Sequence, residues 1–291
     1  MMVYTIRHRW TNAVLYEAEI DGEWLADGVR LGRAVLAAIE AGAQTAFSAS
    51  EAAAGIEDLA KAGVQTADIL DGGLQGALDL AAAGTIEVAD AAETAATAMT
   101  QFGLSGDQVP HIADLLAAAA GKAQGEVSDM AYALRQSGQV ANQTGLSIEE
   151  TTGALAAFAS AGLLGSDAGT SFKTMLQRLA APVGAAKKEM QRLGLSAFDA
   201  QGNFIGLAEF AGQLEQKLAG MSQQQKAATL STMFGSDAVR AATVLYDQGA
   251  DGINKWIDAV DDQGFAAETA AKKLDNMRPH SSASSPPSMV A

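Results

Sequence analysis

The chain has 291 residues, 48% hydrophobic and 18% charged, a soluble and core-forming mixture with room for one or two ordinary domains. Nineteen Lys and Arg stand against 34 Asp and Glu, and the net charge of −15 argues against a protein that holds nucleic acid by neutralising phosphates. With no cysteine, disulfides, a thiolate nucleophile and cysteine-ligated zinc are all excluded.

Residues 1–43 read as a separate hairpin-helix leader. They hold two of the three tryptophans, Trp10 and Trp24. The runs Val3-Tyr4-Thr5-Ile6 and Val14-Leu15-Tyr16 predict a β-hairpin around a turn at Thr11-Asn12, and Leu25 to Ala41 predicts a helix stopped by Gly42. Met1 to Trp10 carries Arg7 and Arg9 without an apolar stretch behind them, so no secretory signal is expected.

From residue 44 to 277 the pattern is all-α, a series of short alanine-rich helices arranged in hairpins. Over the whole chain, alanine supplies 63 residues and aromatics only 16. Each alanine buries little area at about 25 cal/mol per Å², so the helices must approach closely, and the region is expected to lean on partners. The first part is acidic: between residues 44 and 110, Lys61 is the sole basic residue against ten acidic ones. A solvated helix face explains this, as does self-repulsion that keeps the chain extended before assembly.

The helices end on a recurring signal, a glycine followed by an apolar residue, at Gly63-Val64, Gly103-Leu104, Gly145-Leu146, Gly162-Leu163 and Gly194-Leu195. Glycine takes the left-handed position, the apolar residue folds back on the last turn, and a nearby hydroxyl starts the next helix. Ser147 with Glu150 and Ser105 with Gln108 predict capping boxes. Three helical stripes, Phe172/Met175/Leu176/Leu179, Leu207/Phe210/Ala211/Leu214 and Ile253/Trp256/Ile257/Val260, need a packing partner, either this chain's own core or another subunit.

Leu195 to Ile205 interrupts the helices and predicts a wide turn, with Asp199 capping it and Gly202 at positive φ. Asp199 and Asn203 do not fit a calcium loop. Glycine pairs four apart (Gly72/Gly76, Gly121/Gly125, Gly165/Gly169, Gly202/Gly206) are read as turns. The tail from Arg278 to Ala291, rich in serine and proline, is expected to be disordered.

No catalytic, cofactor-binding or metal residue emerges. His8, His111 and His280 share no ligand spacing, and an enzyme would need His8 and His111 brought together by the fold. Gly121-Lys122 lacks the upstream glycine of a P-loop and is followed by Ala123; Gly165-Ser166-Asp167-Ala168-Gly169 lacks the nucleophile-elbow pattern. The longest strongly apolar stretch without charge, Thr151 to Ser166, has 16 residues. As a helix it spans about 24 Å, short of a roughly 30 Å hydrocarbon core, so no membrane span is expected.

Six phrases in order carry a resemblance: Glu51-Ala52-Ala53-Ala54-Gly55-Ile56 continuing to Gly63, Met99-Thr100-Gln101-Phe102-Gly103-Leu104, His111-Ile112-Ala113-Asp114-Leu115-Leu116, Gly145-Leu146-Ser147-Ile148-Glu149-Glu150, Gly169-Thr170-Ser171-Phe172-Lys173-Thr174-Met175 continuing to Pro182, and Phe198-Asp199-Ala200-Gln201-Gly202-Asn203. From Ser50 to about Met277 the chain resembles the core region of phage tail tape measure proteins. The resemblance implies a non-enzymatic structural role in tail assembly and tail length determination. It also implies a place in the tube lumen of the virion tail after synthesis in the host cytoplasm. The implied partners are the tail tube protein, tail assembly chaperones, tail tip proteins and further copies of the chain, with no cofactor.

Residues 1–43 resemble the leader of pentapeptide-repeat proteins in Arg7-His8-Arg9-Trp10-Thr11 and Leu31-Gly32-Arg33-Ala34-Val35. The juxtaposition raises the expectation of a truncated or recombined prophage frame. Glycine stops every few turns forbid one continuous rod, so the region reads as the packed segment that accompanies the ruler. The alternative is a non-enzymatic helical binding or membrane-acting module from a degenerate prophage gene.

Overall fold

The computed structural model describes residues 2–7, 14–20, 32–42 and 45–277. Two strands, β1 (Met2–Arg7) and β2 (Val14–Ile20), pair antiparallel with Tyr4 opposite Ala18. The expected turn at Thr11-Asn12 lies outside the described residues, as do the first part of the expected leader helix and the tail from Arg278.

Residues 32–42 form α1. Gly42 is its last helical residue rather than a left-handed stop. Its missing side chain serves a different end: a Cβ there would lie 2.5 Å from the Ala49 amide nitrogen, where the chain folds back to start α2. Ala38 and Ala41 of α1 join the core of the helices that follow.

The body from residue 45 is all-α. Its elements are α2 (Ala49–Lys61), α3 (Thr66–Asp68), a wide turn of helix Ile69–Gly73, α4 (Leu74–Gly84), α5 (Val88–Phe102), α6 (Val109–Lys122), α7 (Val127–Thr144), α8 (Ile148–Ser160), α9 (Gly165–Ala180), α10 (Gly184–Leu193), α11 (Leu207–Leu218), α12 (Gln223–Val260) and α13 (Phe265–Met277). α6 and α8 are apolar almost all round, from Ile112 to Ala120 and from Thr151 to Ala159, and both are buried along those runs. A helix of that composition has to be central. α4, α5, α7, α12 and α13 pack around α6, while α7, α9 and α12 surround α8. The most extensive pairing is α7 with α9, next-but-one in sequence, so the body is more interleaved than a row of helical hairpins.

All five expected stops have glycine at positive φ, from 65° at Gly194 to 101° at Gly145. In each, the amide of the next residue donates to the carbonyl five positions back (Val64 to Leu59, Leu104 to Met99, Leu146 to Ala141, Leu163 to Phe158, Leu195 to Met190) at 2.9–3.0 Å. This closes the helix end and turns the apolar residue inward. Ser147 and Glu150 form the expected capping box, and so do Ser48 with Glu51 and Ser222 with Gln225.

Ser105 and Gln108 do not form one. The chain tightens into a 3₁₀ turn over Gly106–Gln108, the Ser105 hydroxyl donates to Asp107, and Pro110 opens α6 without needing an amide partner. α12 runs 38 residues, longer than the short helices expected, but Gly235 (φ 71°, ψ −176°) and Gly249 (φ 60°, ψ −170°) leave helical geometry and divide it in three.

The stripes turn to this chain's own core. Phe172, Met175, Leu176, Leu179, Leu207, Phe210, Ala211 and Leu214 are buried; Ile253 and Val260 are buried, with Trp256 and Ile257 half-buried beside them. Phe158 meets Phe172 edge to face at 5.3 Å between centroids.

Six of the eight glycines in these pairs divide into two kinds; Gly121 and Gly125 instead face the side chains of Phe265 and Leu164. Gly72, Gly165, Gly202 and Gly206 have positive φ and belong to turns. Gly76 and Gly169 do not: a Cβ on Gly76 would stand 2.8 Å from the Pro110 Cα, and one on Gly169 2.3 Å from the Ala133 carbonyl oxygen. These are crossings where two helix backbones touch, the close approach that an alanine-rich core requires.

Candidate functional site

Several polar side chains of the body fasten one helix to another. His111, in the first turn of α6, places Nε2 2.8 Å from Oε1 of Glu149 in the first turn of α8. The Glu149 hydrogen bond pulls the imidazole pKa up against the opposing effect of burial. The same bond, again against burial, holds the Glu149 carboxyl down at about 2. The pair therefore ties the starts of the two central helices. His8 and His280 lie outside the described residues, so the pairing of His8 with His111 that an enzyme would need is not among the described contacts.

One turn further along α6, the buried Asp114 accepts hydrogen bonds from the amides of Gly264 at 2.7 Å and Ala266 at 3.0 Å. It satisfies the first free amides of α13 as a cap residue would, from a helix about 150 residues earlier in the chain. Lys122 at the other end of α6 donates to the Ala259 carbonyl at 2.7 Å and to Asp262. The lysine of the P-loop-like Gly121-Lys122 is thus spent on the end of α12. Lys273 of α13 donates to the Ala83 carbonyl and to Thr85 Oγ1 at 2.6 and 2.7 Å. Sequence reading missed Asp114 and Lys273 because their partners lie far away in the chain and leave no local pattern.

The turn at Leu195–Ile205 forms as expected. Asp199 Oδ1 accepts from the amides of Gln201 and Asn203 at 2.9 and 2.8 Å, Oδ2 accepts from Asn203 Nδ2 at 3.1 Å, and Gly202 has φ 88°. Those hydrogen bonds, Asn203's amide first, hold the Asp199 carboxyl below its ordinary range. Phe198 and Phe204 face each other across the turn in a single antiparallel bridge. In the segment read against a nucleophile elbow, Gly165–Gly169 opens α9, and Asp167 pairs with Arg240 at 3.4 Å.

A cleft of about 590 Å³ runs between α2 and α5. Its walls carry Asp58, Asp90 and Glu93 against Lys61, with Thr97 and Thr100 further along α5, so it gathers three of the ten acidic residues noted between residues 44 and 110. Lys61 meets Glu57 at 2.8 Å, and Glu93 meets Arg135 of α7 at 3.2 Å. Among the described residues no group of three His, Asp or Glu side chains is arranged to hold a metal, and no helix is long and apolar enough to cross a membrane.

Glycine crossings and interhelical hydrogen bonds define a closely packed, all-α helical region. The comparisons with known proteins give that class a family. A family model described as phage-related minor tail protein matches residues 36–235. The tape measure protein of Pneumococcus phage Dp-1 is 42% identical over 248 residues, 85% of this chain and 22% of that protein. The probable tape measure protein of Escherichia phage P2 is 34% identical over 215 residues, 72% of this chain and 26% of that one. The chain belongs to the phage minor tail and tape measure protein family. It spans about a quarter of the length of these relatives. No solved structure matches it.

Proposed function

We propose that this chain is the packed helical region of a tail tape measure protein, acting without catalysis in tail assembly and tail length determination. Its partners are the tail tube protein, tail assembly chaperones, tail tip proteins and further copies of itself, and its place is the lumen of the tail tube after synthesis in the host cytoplasm. Similarity to two tape measure proteins over most of the chain is the observation that supports this reading.

Within that function the region is the folded companion of the ruler. A ruler needs a continuous helix at about 1.5 Å per residue, and here even the longest helix, α12, is broken at Gly235 and Gly249. In-frame deletion of residues 45–277 from the full gene, followed by electron microscopy of the particles, tests the proposal. The expected result is loss of tails or tails of disordered length. Tails shortened by roughly 350 Å, the span of those residues as one straight helix, would make the region part of the ruler itself. Normal tails at normal yield would overturn the assembly role. The membrane-acting alternative predicts flotation of the chain with anionic vesicles; this proposal predicts none.

A further inference from the structure

α13 lies across α4 and α6 as the last helix of the described residues. Among its described side chains Ala266 and Ala270 are buried, and Phe265, Thr269, Lys273 and Leu274 are half-buried. Cavities of about 460, 470 and 310 Å³ lie along its flanks, between it and α4, α6 and residues 45–47. Besides its apolar contacts with α4 and α6, hydrogen bonds at two places fasten it: Asp114 to the Gly264 and Ala266 amides, and Lys273 to the Ala83 carbonyl and Thr85 Oγ1. The chain upstream is pinned separately by Lys122 on Ala259 and Asp262, and Gly264, at φ 86°, is the joint between the pinned part and the helix.

The Lys273 end reaches a strained residue. Thr85 is the one non-glycine residue at positive φ among those described, at φ 55° and ψ 43°. It closes α4 in the left-handed position that glycine fills at the five other stops of this kind, with Ile86 donating back to Ala81. A β-branched residue is a steric outlier in that conformation, and such a residue persists only where its surroundings hold it. The ammonium of Lys273 is what its hydroxyl touches.

We propose that α13 is a latch that opens as a unit about Gly264 ahead of the rest of the body, and that left-handed Thr85 is the catch it engages. Threonine at this stop costs backbone strain, but it provides the hydroxyl through which α13 is held; glycine would remove both. Opening uncovers a trough floored by Leu78, Ala81, Ala82, Ala117 and Ala120, and α13 lies beyond the family-matched span that ends at residue 235. The inference is independent of the tail reading.

Amide hydrogen exchange of the whole chain, followed by mass spectrometry across a low-urea series, tests it. Peptides covering 265–277 are expected to exchange at least about tenfold faster than those covering α6, with little urea dependence, as a sub-global opening does. Lys273→Met is expected to speed α13 exchange about tenfold while leaving α6 unchanged. Thr85→Gly is expected to split the readouts, raising the urea midpoint of the body while speeding α13 exchange. Exchange of α13 and α6 in one global transition would overturn the latch, and Thr85→Gly protecting α13 and the body alike would overturn the catch.

Discussion

Gly169 of α9 and Ala133 of α7 touch backbone to backbone: a Cβ on Gly169 would stand 2.3 Å from the Ala133 carbonyl oxygen and 2.9 Å from its Cα. In an open helix, glycine to alanine gains about 1 kcal/mol from propensity. Here the added methyl meets main chain, which has no rotamer to yield, so the two helices must part. Gly169→Ala is expected to destabilise the body by about 2 kcal/mol, within the range for overpacking, and to lower the urea midpoint. An unchanged or raised midpoint would show that α7 and α9 can separate at no cost.

Gly145 isolates the opposite cause. It closes α7 at φ 101° with nothing within 4 Å of where a Cβ would be, so a side chain there meets open space but a disfavoured backbone. Gly145→Ala is expected to cost about 1–2 kcal/mol, and Gly145→Asn less because asparagine tolerates the left-handed region. Thermal melts of the three proteins should rank glycine above asparagine above alanine. Equal melting temperatures for glycine and alanine would refute conformational strain as the reason for the stop.

These two glycines mark what could be read from sequence. Gly145-Leu146-Ser147 announces its structure locally, because stop, fold-back and cap all lie within a few residues, and the same holds for Asp199 with Gly202 and for the stripe from Phe172 to Leu179. Gly169 carries no such mark. Paired with Gly165 it has the look of a turn, and only the arrival of α7 gives it a packing role. Asp114 and Lys273 were invisible for the same reason, since each serves a segment far along the chain. Ser105 failed differently: its spacing to Gln108 is right, but Asp107 captures the hydroxyl first.

The His111–Glu149 pair makes stability depend on pH with a definite sign. His111, its pKa raised in the fold, contributes fully below its ordinary value of 6.5 and loses that contribution as pH climbs through the folded value. Glu149, depressed to about 2, contributes above its ordinary 4.5 and loses it as pH falls toward 2. The two windows overlap between 4.5 and 6.5. Glu149→Gln should therefore cost about 0.5–1 kcal/mol at pH 5.5, the scale of a partly exposed ion pair, and close to nothing at pH 9. Urea titrations of parent and variant at both pH values give the difference. A cost that is the same at pH 9 would assign Glu149 to packing instead.

Thr151 and Thr152 are adjacent, both fully buried in the central helix α8, and unlike in what their hydroxyls do. Thr151 Oγ1 donates to the Ser147 carbonyl at 2.7 Å, whereas Thr152 Oγ1 has no hydrogen-bond partner. A buried hydroxyl without a partner costs about 1–3 kcal/mol of lost hydration, and valine has nearly the same shape without it. Thr152→Val should stabilise the body by about 1 kcal/mol, net of the small helix-propensity difference between two β-branched residues. Thr151→Val should destabilise, or at best leave stability unchanged, because a satisfied hydrogen bond goes with the hydroxyl. Paired urea titrations decide the question, and the sign carries the information. If Thr152→Val destabilised as much as Thr151→Val, the hydroxyl of Thr152 would have to be satisfied in solution, and the interior of α8 would be less dry than its packing against α7, α9 and α12 makes it.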